Sequence, residues 1–107
     1  MLEQITLESA RRLLPARPDG SHKGTFGHVF LLAGSRGFTG AARLACEAAA
    51  RSGAGLVTLG IPAPLADIAA ITLMETMTLP LPATREESFS REALARALDF
   101  AEQKQAV

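Results

Sequence analysis

The sequence predicts a parallel α/β sheet covered by helices, and three observations predict it. The runs "HVFLLA" (His28 to Ala33) and "LVTLGI" (Leu56 to Ile61) are apolar without polar alternation, as in strands covered on both faces. Alanine-rich or amphipathic stretches of helical spacing lie between and after them. Strands that alternate with helices pair in parallel through right-handed crossovers. The 107 residues, 48% apolar and 21% charged, suffice for one small globular domain.

The elements follow in order. Leu7 to Leu14 reads as a short amphipathic helix, with Thr6 as N-cap and Pro15 just past its end. "PARPDGSHKGTFG" has the composition of an ordered loop. After the first strand, Gly40 to Ser52 reads as a helix with Thr39 as its N-cap and Gly53 as its stop. Pro62 and Pro64 close the second strand, and "LADIAAITLM" reads as a second covering helix. The third strand is Thr76 to Leu81, where Pro80 points to an edge or a strand end. "TREE" (Thr84 to Glu87) fits a capping box. Ala93, Leu94, Ala97, Leu98 and Ala101 follow at helical spacing. Ala106 and Val107 read as the first residues of a fourth strand. Three strands alone would leave apolar edges unpaired, so residues 1–107 are expected to be the first part of a larger domain.

Composition excludes several functions. Lys plus Arg and Asp plus Glu balance at 11 each, and Tyr and Trp are absent. Nothing here favours nucleic acid or an acidic membrane surface. The start of the chain lacks the apolar core of a signal peptide, and no apolar run approaches the ~20 residues that span a bilayer. Cys46 is the only cysteine, so no intramolecular disulfide forms. The expected location is the cytoplasm.

The segment "GSRGFTG" after the first strand carries the chemistry. Gly34, Gly37 and Gly40 allow positive φ and close approach of backbone amides to a ligand. The helix that follows aims its N-terminal N–H groups into the same space. Ser35 and Thr39 add hydroxyls and Arg36 a charge, at the carboxyl ends of the strands, where ligands of open α/β sheets collect. The spacing is neither GxGxxG nor GxxxxGK[ST]. Spacing alone leaves two readings open: an anion-binding loop, or glycines that only shape a turn.

Other candidates carry less. Lys23 has the chemistry to contact a phosphate and His22 that of a donor or base, although residues of this kind in a polar loop are commonly solvated or capping. His28 reads as structural. Glu75 in "LMETMTLPLP" either faces a site or is an exposed loop glutamate. Cys46, Met74 and Met77 read as core residues. Two histidines and one cysteine without ligand spacing give no metal site.

Taken together, "SHKGTFGHVFLLAGSRGFTGAARLACEAAARSGAGLVTLGIP" and "METMTLPLP" resemble the opening of ADP- or ATP-dependent (S)-NAD(P)H-hydrate dehydratases, from about Leu13 to Leu81. That resemblance implies a partial ribokinase-like three-layer α/β/α sandwich with a mainly parallel sheet, ending after about three strands. It implies dehydration of hydrated NADH or NADPH, driven by ADP or ATP with Mg2+. It places substrate contacts at Ala41 first, then at Gly40, Gly34 and Ser35, with His22, Lys23 and Glu75 near the site. It also implies an NAD(P)H-hydrate epimerase, fused or separate, and a homo-oligomer.

The family's "GPGLG"-, "TPHPGE"- and "GTGD"-like segments do not occur in these residues. The resemblance therefore implies that the acidic catalytic base lies beyond Val107 and that neither the nucleotide nor the metal site is complete. The isolated chain is expected to be inactive. Two other readings stand beside this one: a fragment of a ribokinase-like small-molecule kinase, and a non-catalytic binding or assembly module.

Overall fold

The computed structural model describes all residues, Met1 to Val107. Helix α1 (Leu7–Leu13) is followed by a 3-10 turn (Lys23–Phe26). Then come β1 (His28–Leu32), α2 (Thr39–Arg51), β2 (Leu56–Pro62), a second 3-10 turn (Ala63–Leu65), α3 (Ala66–Thr72), β3 (Met77–Leu81) and α4 (Ala93–Ala101). The strands form one parallel sheet in the order β1-β2-β3. Val29 pairs with Val57, and Leu59 with Thr78.

Each covering helix is amphipathic at the spacing its contacts require. Ala42 and Cys46 of α2, one helical turn apart, are buried against Val57, Leu59 and Ile61, which alternate along β2. Leu65, Ala66, Ala69 and Leu73 extend the same cluster with α3. Ala93 and Ala97 of α4 pack with Phe30 and Leu81 in a separate cluster on the opposite face. Alanine on α2 and α4 lets both helices lie close to the strands.

The course of the chain fixes where a ligand would collect. From β1 the strands step outward through β2 to β3, with α2 and α3 on one face. The chain then returns over the other face through α4. Gln105 and Ala106 lie along the free edge of β1. The Phe30 N–H donates to the Ala106 carbonyl at 2.9 Å, and the Gln105 N–H to that of His28 at 3.2 Å. Ala106 forms a parallel bridge with Val29, so the fourth-strand expectation is met at that residue. The strand order therefore reverses at β1, and the crevice at its carboxyl end is the switch point where open α/β sheets bind ligands.

Several local expectations change. Phe38, not Thr39, occupies the α2 N-cap, and no side chain caps that helix. Thr39 has already turned into the helix, because the tight turn at Gly37 delivers the chain one residue early. "TREE" caps no helix. The Thr84 side chain accepts from the Ser88 N–H at 3.3 Å, and its own N–H donates to the Ser88 carbonyl at 2.8 Å. This closes a turn that brings Phe89 onto the Phe30 cluster, and α4 starts only at Ala93.

Met74 and Met77 are not core: Met74 is fully exposed beyond the end of α3, and Met77 lies half-exposed on the edge strand. Leu73 fills the buried position instead. Cys46 is fully buried, and burial pushes its thiol pKa up despite an opposing hydrogen bond from Thr76. No helix is long and apolar enough to cross a membrane.

Candidate functional site

The loop from Ala33 to Phe38 leaves β1 at the switch point. Gly34 takes φ +99°, and a side chain there would also press on Ile61 at 3.1 Å. Gly37 takes φ +82°, and the Phe38 N–H donates to the Ser35 carbonyl at 2.9 Å. Positive φ at the third of four residues makes Ser35–Phe38 a type II turn, which explains the glycine at 37.

Gly40 differs from both. It has no positive φ, and a Cβ would meet nothing within 4 Å. The fold gives no reason for a glycine there, and in a helix glycine costs roughly 0.5–1 kcal/mol relative to alanine. What its missing side chain does is leave the first turn of α2 bare. The uncapped N–H groups at that turn, with exposed Gly40 and Ala41 beside them, form an open surface carrying a partial positive charge.

Two side chains that the sequence did not single out frame this surface. Arg43, one turn along α2 from Gly40, lines a cleft of about 170 Å³ with Thr39, Gly40, Ile68 and Thr72. It also pairs with Glu47 at 2.8 Å. Its i+3 spacing from Gly40 is the signal that would have found it. Glu87 reaches the loop from the turn after β3: its carbonyl accepts from the Arg36 N–H at 3.3 Å, and its carboxylate lies 3.8 Å from the Arg36 guanidinium. No sequence pattern announces that contact.

The structure therefore brings Gly34, Ser35, Gly40 and Ala41 together. It does not bring His22, Lys23 or Glu75 to them. His22 and Lys23 precede β1 and lie at the amino ends of the strands, about 16 Å of extended chain from the loop. There His22 caps the 3-10 turn: its Nδ1 accepts from the Gly24 N–H at 3.2 Å, and its own N–H donates to Thr25 Oγ1 at 3.3 Å. Glu75 is exposed in the turn before β3, at the far end of a groove shared with Arg43, Glu47 and Arg51. No three His, Cys, Asp or Glu side chains gather anywhere as a metal site would require.

The family model described as NAD(P)H-hydrate dehydratase matches residues 29–101, a stretch that starts at the second residue of β1 and holds this loop, β2 and β3. The chain belongs to the NAD(P)H-hydrate dehydratase family. It is 42% identical over 95 residues to the bifunctional NAD(P)H-hydrate repair enzyme of Moorella thermoacetica, covering 89% of this chain and 18% of that protein. It is 37% identical over 94 residues to the ADP-dependent (S)-NAD(P)H-hydrate dehydratase of Bacillus subtilis, covering 88% and 30%.

Among solved structures, a ribokinase-like superfamily protein of Enterococcus faecalis matches with a TM-score of 0.70 and 25% identity, over 94% of this chain and 32% of that one. The sheet of this NAD(P)H-hydrate dehydratase family member is thus a ribokinase-like α/β arrangement. The chain spans about a third or less of the length of each of these relatives.

Proposed function

We propose that this chain supplies the substrate-side loop of a nucleotide-dependent NAD(P)H-hydrate dehydratase, which restores NADH or NADPH from the (S)-hydrate. The observation that carries the reading is Gly40: a glycine the fold does not require, opening an uncapped helix start at the switch point, inside the family-matched stretch. Gly34 and Ser35 shape the approach to it, and Ala41 presents its backbone without bulk. A cleft of about 170 Å³ is smaller than the 300–1,000 Å³ typical of ligand pockets, so the remaining walls come from outside these residues.

The chemistry gives the nucleotide its purpose. Hydroxide leaves the hydrated ring poorly. Transfer of the terminal phosphoryl group of ADP to that hydroxyl makes it a phosphate ester. Phosphate then departs with its bonding electrons as the ring nitrogen lone pair assists, and loss of a proton completes the double bond. The products are NAD(P)H, AMP and phosphate. ADP as donor is supported by the names of the Bacillus subtilis, Listeria monocytogenes and Lactiplantibacillus plantarum relatives. Magnesium is commonly held by one or two carboxylates together with nucleotide phosphates, and in this reading it arrives with the nucleotide; no group of three His, Cys, Asp or Glu side chains forms in these residues.

In this reading the protein acts in the cytoplasm as an oligomer of identical chains. It works beside an NAD(P)H-hydrate epimerase activity, a reading supported by relatives named as bifunctional NAD(P)H-hydrate repair enzymes. The test incubates the intact protein with (S)-hydrated NADH and ADP and follows the return of NADH absorbance. Recovery that requires ADP is expected, with none from the isolated 107 residues. Phosphate transfer to a sugar, with no recovery of NADH, would defeat the reading in favour of a kinase.

A further inference from the structure

We propose that the turn Thr84–Ser88 is a positioning element for the glycine loop, with Glu87 as the residue that holds it. The proposal rests on the substrate role given to that loop above. Glu87 is the one non-glycine residue with positive φ, at +57°. Such a conformation persists in a non-glycine residue only when its surroundings hold it, and it is found disproportionately at functional sites.

Here the surroundings are visible. The Glu87 N–H turns back to the Thr84 carbonyl at 3.1 Å, while its own carbonyl faces outward and accepts from the Arg36 N–H at 3.3 Å. The Ala83–Phe89 bridge fixes the base of the turn, and Phe89 anchors it on the Phe30 cluster. The glycine loop, by contrast, has one internal backbone bond, from the Phe38 N–H to Ser35. The Arg36–Glu87 bond is thus a cross-brace from a packed turn to the segment that presents Ser35 and Gly40.

The two side chains add little to this brace. The Arg36 side chain is three-quarters exposed and its guanidinium is 3.8 Å from the carboxylate, so solvent screens the pair. The backbone bond carries the effect, and the test must separate it from the charge. Glu87→Val opposes positive φ and moves the carbonyl away. Glu87→Asn removes the charge and tolerates left-handed backbone. Arg36→Pro deletes the donor from the loop side at the second position of the type II turn, where proline is favoured, so the Ser35–Phe38 turn itself survives.

In the intact protein, Glu87→Val and Arg36→Pro are each expected to raise KM for hydrated NADH roughly five- to tenfold, the scale of one lost hydrogen bond. In both, kcat stays within about twofold, and Glu87→Asn recovers most of the KM. Hydrogen exchange at the Arg36 amide is expected to quicken about tenfold in Glu87→Val. Unchanged KM in Arg36→Pro overturns the proposal, as does an Arg36 amide that exchanges equally in wild type and Glu87→Val. Wild-type protein that turns over no hydrated NADH defeats the functional reading alone, and the exchange comparison then decides whether the turn holds the loop.

Discussion

A Cβ built on Gly55 would stand 1.6 Å from the Lys23 carbonyl oxygen and 3.1 Å from that of Gly27. The Gly55 N–H donates to the Phe26 carbonyl at 3.3 Å, and the Leu56 N–H to the Gly27 carbonyl at 3.0 Å. The 3-10 turn of "HKGTFG" therefore rests directly on the backbone of "GAGLVT", which gives both motifs a reason independent of catalysis. Because the obstruction is backbone, no rotamer change relieves it. Gly55→Ala is expected to destabilise the intact protein by about 3 kcal/mol or more, the upper end for overpacking. Gly40→Ala, with open space around it, is expected to stabilise by up to ~1 kcal/mol, the helix preference for alanine over glycine. Denaturant midpoints of the two variants check this contrast. Equal midpoints would mean that the turn over Gly55 moves aside freely.

At the scale of elements, α4 and the returning chain are pinned to β1 around His28. The His28 N–H donates to Gln105 Oε1 at 2.7 Å, and its Nε2 lies 2.7 Å from Thr58 Oγ1 in a hydrogen bond that satisfies that buried hydroxyl. Its ring meets Phe100 edge to face, and the Lys104 ammonium sits 4.3 Å from the Phe100 ring centre. Burial, and then the Lys104 charge, hold the His28 pKa below its ordinary value. The folded state thus resists a proton that the unfolded chain accepts. Its stabilising share is complete above the unfolded value near 6.5 and is lost as pH falls from there through the folded value. Unfolding midpoints are expected to drop as pH falls below about 6.5, and His28→Gln to flatten that drop. An unchanged slope in the variant would remove His28 as the cause. The strands, the helices, the stop at Gly53 and the edge position implied by Pro80 were all legible, because apolar runs and punctuation act locally. The glycine loop was legible for the same reason. The turn at Thr84–Ser88 was not, since its bonds depend on Phe89 finding a cluster formed by distant residues. The distance of His22 and Lys23 from the loop was legible in principle. Residues just before a strand lie at the opposite end of the sheet from the loop that follows it.

For the molecule as a whole, surface is the dominant fact. A folded monomer of this mass exposes about 5,700 Å², whereas this chain exposes 7957 Å². Its radius of gyration is 15.9 Å, against about 13 Å for a compact chain of this length. Only 16 of 107 residues are buried, and the buried hydrophobic core divides between clusters of nine and four on opposite faces of the sheet. No residue of α1 is buried, and Leu7 and Leu13 stand exposed along it. The excess of about 2,300 Å² is the size of surface that stable interfaces bury. Two small clusters joined through a three-stranded sheet offer little cooperativity, because either helix layer can loosen without exposing the other. The 107 residues on their own are therefore expected to melt broadly, with a van't Hoff enthalpy well below the calorimetric one, and to bind a hydrophobic dye before heating. Scanning calorimetry of the isolated chain checks this. A single sharp transition with equal enthalpies and no dye binding would show that the two clusters already suffice as one core.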